Sequence, residues 1–308
     1  MVSVPLPDAG NDCLSDPADI VGTKRFGPLR RCHIFFRSHC PVYRYYNIQR
    51  MQEGVAMSVK TNGISALTLK LIAMVTMLVD HSAVLFFHSN PYLRFAGRIA
   101  FPLYAFMAAE GWYHTRHHIR HTGKYLFTLL VLALISEPIY DISLYPGSGM
   151  WTHNNVIFTL LIALLGLTLY DHLPLPNWLR IPLIVLFAAI AAPAHTSYGT
   201  GGVLLVYGFA AYRILKERNH RAADAVPAVL LLMFAIWMFS KNIRTTITVS
   251  YLIRRFTYSG WRQFGVLLAA VPIAFYNGKE GRMSSWFRTL YRHFYPLHLA
   301  VLYMLGSI

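Results

Sequence analysis

The sequence predicts an all-α fold, a polytopic integral membrane bundle of about nine transmembrane helices. Three observations predict it. Hydrophobic residues fill 55% of the 308 positions and charged residues only 13%, whereas about a quarter of a soluble domain is charged. Mean hydropathy is +0.41. Apolar runs of roughly 20 residues recur along the chain, and each is long enough to cross a bilayer as a helix. The net charge of +15 then reads as basic loops of a membrane protein rather than as a nucleic-acid surface.

A leader comes first. Residues 1–56 are polar and basic, with Arg25, Arg30, Arg31, Arg37, Arg44 and Arg50. They lack a hydrophobic period, so poor order is expected. Met51 and Met57 are alternative starts, and a transmembrane domain is expected over 57–308. Cys13, Cys32 and Cys40 all lie in the leader. An odd number without regular spacing is neither a disulfide framework nor a zinc motif, and they read as free thiols.

Spans are expected near 67–87, 93–113, 125–142, 156–172, 181–192, 203–215, 224–239, 264–276 and 295–305. Turn signals separate them: HSNP after the first, YPGSG after the third, LPLPN after the fourth and YGTGG before the sixth. The fifth run is short and ends at Pro193, as a tilted or broken helix does. YGTGG (198–202) reads as a turn, because it lacks the spacing of a nucleotide loop.

Loop charge sets the orientation. HTRHHIRHTGK (114–124), RILKERNHR (213–221) and NGKEGR (277–282) are basic, which assigns them and residues 1–66 to the cytoplasm. Residues 240–263 conflict with this. They carry Lys241, Arg244, Arg254, Arg255 and Arg262, yet parity puts them outside.

Polar residues then gather in the outer half of the first four spans. Asp80 and His81 sit near the outer end of span one, and Arg98 sits near the outer start of span two. Glu137 and Asp141 lie one turn apart on span three, and span four opens with Asn154 and Asn155. Ionisable groups in a membrane face a partner or a cavity. An Arg98–Asp80 or Arg98–Glu137 bridge that only pins helices is one reading. His81 as a general base, oriented by Glu137 or Asp141, is the other; a lone satisfied histidine is the plain alternative.

These stretches resemble the TraX family, membrane proteins linked to N-terminal acetylation of F-type conjugative pilin. The resemblance rests on LKLIAMVTMLVDH (69–81), GRIAFPLYAFMAAEG (97–111), ISEPIYD (135–141), NNVIFTLL (154–161), YNGKEG (276–281) and YPLHL (295–299). It covers roughly 65–308. The family is similar to a wider group of transmembrane acyltransferases that includes the lysosomal heparan glucosaminide acetyltransferase. That group passes an acyl group from cytosolic acyl-CoA to an acceptor across the membrane. The resemblance implies a multi-pass protein of the bacterial inner membrane with its N-terminus in the cytoplasm. It also implies His81 as the catalytic candidate, with Asp80 and Arg98 as motif partners. Where family members often carry an acid before a Tyr-Gly pair, this chain has Ser197 before Tyr198 and Gly199.

The expected function is acetyl transfer from cytosolic acetyl-CoA to an amine or hydroxyl of an outer-face peptide or glycan, such as a pilin N-terminus. His81, Asp80, Arg98, Glu137, Asp141 and Asn154 form the expected catalytic set, with Arg98 or Asn154 polarising the thioester oxygen. Arg116, Arg120 and Lys124 are the expected cradle for the CoA phosphates. His298, read at the inner start of the last span, would line the CoA entry. The histidines of 114–121 are interleaved with arginines that repel a cation, so no metal is expected. The alternatives are a proton-coupled transporter using the Asp80/His81/Arg98/Glu137 cluster as a relay, and an assembly factor without catalysis.

Overall fold

The computed structural model describes residues 63–218, 223–241, 249–258 and 260–306. The leader 1–56 and its three cysteines lie outside them. The described residues are all-helical apart from two isolated bridges, Ile64 to Tyr276 and Asn154 to Thr196.

Helix α1 is Ala66–Leu85. Ser65 caps it by accepting from the Thr68 N–H at 3.4 Å, and the YNGKEG stretch pins its start through Ala66 N–H to Lys279 O at 2.8 Å. Leu69, Ala73, Met77, Asp80 and Ala83 are buried on one stripe, while Leu71, Val75 and Leu78 are exposed on the other.

The expected second span is two helices. Helix α2 is Pro91–Gly97, and Asn90 caps it by accepting from Tyr92 N–H and Leu93 N–H. Arg98 and Ile99 form a turn, and α3 (Ala100–Thr115) follows. The cause is Pro102. It has no N–H, and its ring crowds the carbonyl four residues back, which is that of Arg98. The break places Arg98 at a helix junction. Gly97 is required beside it, because a Cβ there would collide with the Cα and Cβ of Asp80. Helix α3 is buried nearly all round, as a central helix must be.

Helix α4 is Ile119–Leu144 with Pro138 inside it, and α5 is Val156–His172. Helix α6, Asn177–Ile190, starts earlier than the expected fifth span and contains Pro182. Helix α7 is Gly199–Arg218, so the glycines of YGTGG open a helix instead of forming a separate turn. They serve close approach: a Cβ at Gly201 would strike the Trp237 ring, and one at Gly202 would meet Tyr198, Thr159 and Phe101.

Helix α8 is Val226–Ser240 and α9 is Val249–Tyr258. A 3₁₀ segment, Gly260–Ala269, and the short α10, Ala270–Ala274, stand where one span was expected. Gly260, Gly265, Val266 and Ala269 are buried. The segment packs against α8, α2 and α3. Helix α11, Ser285–Gly306, starts ten residues before the expected last span and packs on α1 and α4.

Ala66–Leu85 and Ile119–Leu144 are long and apolar enough to cross a membrane; Val156–His172, Trp178–Ile190 and Val226–Ser240 are apolar but shorter. The bundle buries charge and exposes apolar side chains. Asp80, Arg98, Glu137 and Asp141 are buried, while Val75, Phe127, Ile135, Ile181, Val185, Met233 and Met304 are each more than half exposed.

Candidate functional site

The site lies where α1 ends and α3 begins. A cavity of about 480 Å³ opens there, lined by Asp80, His81, Arg94, Arg98, Tyr104, Tyr140, Ser197, Tyr198, Lys241, Arg262, Gln263 and Tyr295 among others.

His81 is held by a histidine. Its Nδ1 lies 2.7 Å from His298 Nε2. The ring planes differ by only 9° and the centroids are 5.0 Å apart, as far apart as the contact plus the two ring radii allows. The bond therefore runs in the plane of both rings. His298 Nδ1 lies 2.8 Å from the Phe294 carbonyl oxygen, one turn back on α11. A carbonyl can only accept, so His298 Nδ1 carries the proton and its Nε2 accepts from His81 Nδ1–H. The Nε2 lone pair of His81 is left for the cavity. Tyr295 sets its ring edge-on to both histidines. Glu137 and Asp141, the expected orienters, do not have this role. His298 also sits well along α11, level with His81, rather than at an inner entry near the basic loop.

Asp80 pairs with Arg94, not Arg98: Arg94 Nη1 donates to Asp80 Oδ2 at 2.7 Å. Arg98 is 9% exposed, and its Nε has no hydrogen-bond partner. Its polar neighbour is Tyr198. Arg262 comes from the 3₁₀ segment. Arg98 thus forms neither of the expected helix-pinning bridges, since Asp80 is taken by Arg94 and Glu137 by Asn155.

The other expected residues stand apart from the cavity lining. Glu137 Oε2 accepts from Asn155 N–H at 3.0 Å and from Asn155 Nδ2 at 2.5 Å. Asn155 also donates to Ala133 O and caps α5 through Ile157 N–H, so this pair ties α4 to α5. Asp141 Oδ2 accepts from Trp151 N–H at 3.0 Å, which holds Trp151 at its positive φ of 67°. Asn154 Nδ2 donates to Ala194 O at 2.6 Å, and its carbonyl accepts from Ser197.

Arg116 follows the far end of α3, whose 16 residues span about 24 Å, and Arg120 and Lys124 lie in the first turns of α4. Arg116 packs over Tyr113 at 4.6 Å, while Arg120 and Lys124 are exposed. At that end Glu110 is tied to Arg213 at 2.9 Å and to His114 at 3.3 Å.

Sequence reasoning missed Arg94, Lys241 and Arg262. Arg94 was within reach, because it precedes Arg98 by one helical turn. The basic 240–263 segment had already stood out against the loop-charge rule.

Compared with known proteins, residues 65–306 match the TraX protein family. The chain belongs to the TraX family. A probable fimbrial assembly protein FimC of Dichelobacter nodosus is 30% identical over 255 residues, covering 77% of this chain and 94% of that protein. A TraX protein of Escherichia coli is 29% identical over 164 residues, 53% of this chain and 61% of its own length. The TraX protein of E. coli strain K12 is 24% identical over 241 residues, 77% and 86% respectively. No solved structure matches this TraX-family chain.

Proposed function

We propose that this protein is a polytopic membrane acyltransferase that serves fimbrial or pilus assembly by acetylating a subunit. Acetyl-CoA donates from the cytoplasm, and an amine or hydroxyl of the acceptor receives the acetyl group at the outer face. The names of the relatives support the assembly role. The apolar exterior around buried charges supports a bilayer surrounding, since a contiguous exposed apolar surface marks a membrane or a partner.

One observation carries the reaction: a histidine with a fixed tautomer and a free Nε2 faces a cavity that also holds guanidinium groups. In the proposed step, His81 Nε2 takes the proton of the acceptor amine as its nitrogen attacks the thioester carbonyl. The Nδ1–H bond to His298 holds the imidazolium that forms. Arg98 and the Tyr198 hydroxyl supply charge and a donor for the oxyanion. The C–S bond breaks, the amide remains, and the thiolate leaves with the His81 proton. A cavity of about 480 Å³ suits the acetyl-pantetheine end together with one end of an acceptor; the CoA nucleotide stays outside.

The test is acetyl transfer from radiolabelled acetyl-CoA by the purified full-length protein in proteoliposomes, with peptides bearing a free amine as acceptors. Labelled peptide is expected. Intact, acetyl-CoA-saturated protein that labels no acceptor sinks the reading.

A further inference from the structure

The cavity beside His81 is cationic beyond what acyl transfer itself needs. Arg94, Arg98, Lys241 and Arg262 line it against one carboxylate, Asp80, and Asp80 is already taken by Arg94. Among the described residues, no ion pair joins Arg98, Lys241 or Arg262 to a carboxylate. Arg98 is nine-tenths buried. Its Nε, the Arg262 Nε and the Gln263 Oε1 are all buried without hydrogen-bond partners. Buried guanidinium groups without a counter-charge are costly. These groups come from the α2–α3 junction, the end of α8 and the 3₁₀ segment, so several elements converge to produce the charge. It is also graded in depth: Lys241 is exposed, Arg262 is half-buried and Arg98 is buried.

We propose that this wall is a subsite for a carboxylate on the acceptor: the protein selects a peptide with an acidic residue close to its reacting amine. The inference rests on the acyltransferase reading and adds the class of acceptor. Guanidinium forks take a carboxylate through paired N–H bonds. Lys241 at the rim draws the acid inward and Arg262 below it seats it, while Arg98, deeper, stays free for the oxyanion. The amine is thereby presented to His81. A phosphate would fit the same forks, but the fimbrial relatives favour a protein acceptor over a lipid headgroup.

The experiment uses the full-length protein in detergent and fluorescent peptides with a free N-terminal amine. They carry one Glu, or Gln in its place, at the second, third or fourth residue. Binding is measured as well as transfer. The best Glu peptide should bind about tenfold more tightly than its Gln counterpart, and salt should narrow the gap. Arg262→Gln should shrink the preference to about twofold or less, and Arg262→Lys, which keeps the charge but loses the fork, should keep only part of it. Thermal melting shows which variants are folded. Equal binding of Glu and Gln peptides overturns the proposal. So does stronger binding of glycerophosphoethanolamine, or an Arg262→Gln change confined to acetyl-CoA affinity. Charge-selective binding without any transfer would sink the acyltransferase reading and leave the subsite standing.

Discussion

His81 Nδ1 and His298 Nε2 share an in-plane hydrogen bond of 2.7 Å that joins α1 to α11. In the proposed reaction His298 is a positioning residue, and it acts only through His81. His298→Ala should lower kcat by about a hundredfold and leave the KM for acetyl-CoA near its normal value. His298→Gln offers an amide oxygen to the same Nδ1–H and should recover part of the loss. Steady-state kinetics on both variants checks the split and the rescue. Equal loss in the two variants would mean that His298 only fills space.

Arg94 and Arg98 are predicted to differ. Arg94→Ala strands Asp80, whose side chain is only 13% exposed, and should cost about 3 kcal/mol of stability. Removing Asp80 as well should return part of that, as a double-mutant cycle in detergent melting would show. Arg98→Ala breaks no ion pair. It should cut transfer far more than it lowers the melting temperature.

Gly97→Ala should destabilise by about 1–3 kcal/mol. The new Cβ runs into Asp80, including its backbone, so α2 must move off α1. A melting temperature unchanged from wild type would contradict this contact.

The helical class and most helix positions were legible, because apolar runs and turn residues report them directly. The location of His81 was legible too, since an imidazole in an apolar run is costly. The break at Arg98 was not read, although Pro102 causes it and stands in plain view. A chain read as one span hides a junction four residues upstream of a proline. The partner of His81 was illegible for a different reason. His298 is 217 residues away, and no local pattern marks it. Glu137 reads as an orienter of His81 from its place in the outer half of the third span. Only its bonds to Asn155 reveal the helix-tying role, and these follow from the α4–α5 packing. The YGTGG glycines misled in the opposite direction: in a packed bundle small residues permit contact as often as they break helices.

Sidedness is checked by single cysteines in a background with Cys13, Cys32 and Cys40 changed to Ser. Gly123→Cys is exposed with open space around it, and Met150→Cys replaces a side chain 60% exposed. An impermeant maleimide added to intact cells should label position 150 and spare position 123. The reverse pattern would invert the orientation and bring the His81 cavity to the cytoplasm.

The most direct measurement is single-turnover acetyl transfer by His81→Gln beside the wild-type protein, with acetyl-CoA binding measured on the same samples. Gln keeps a polar side chain of similar reach and cannot serve as a comparable base. The account predicts a loss of about 10²–10⁴-fold in transfer with acetyl-CoA binding near normal. Wild-type turnover in His81→Gln would contradict it.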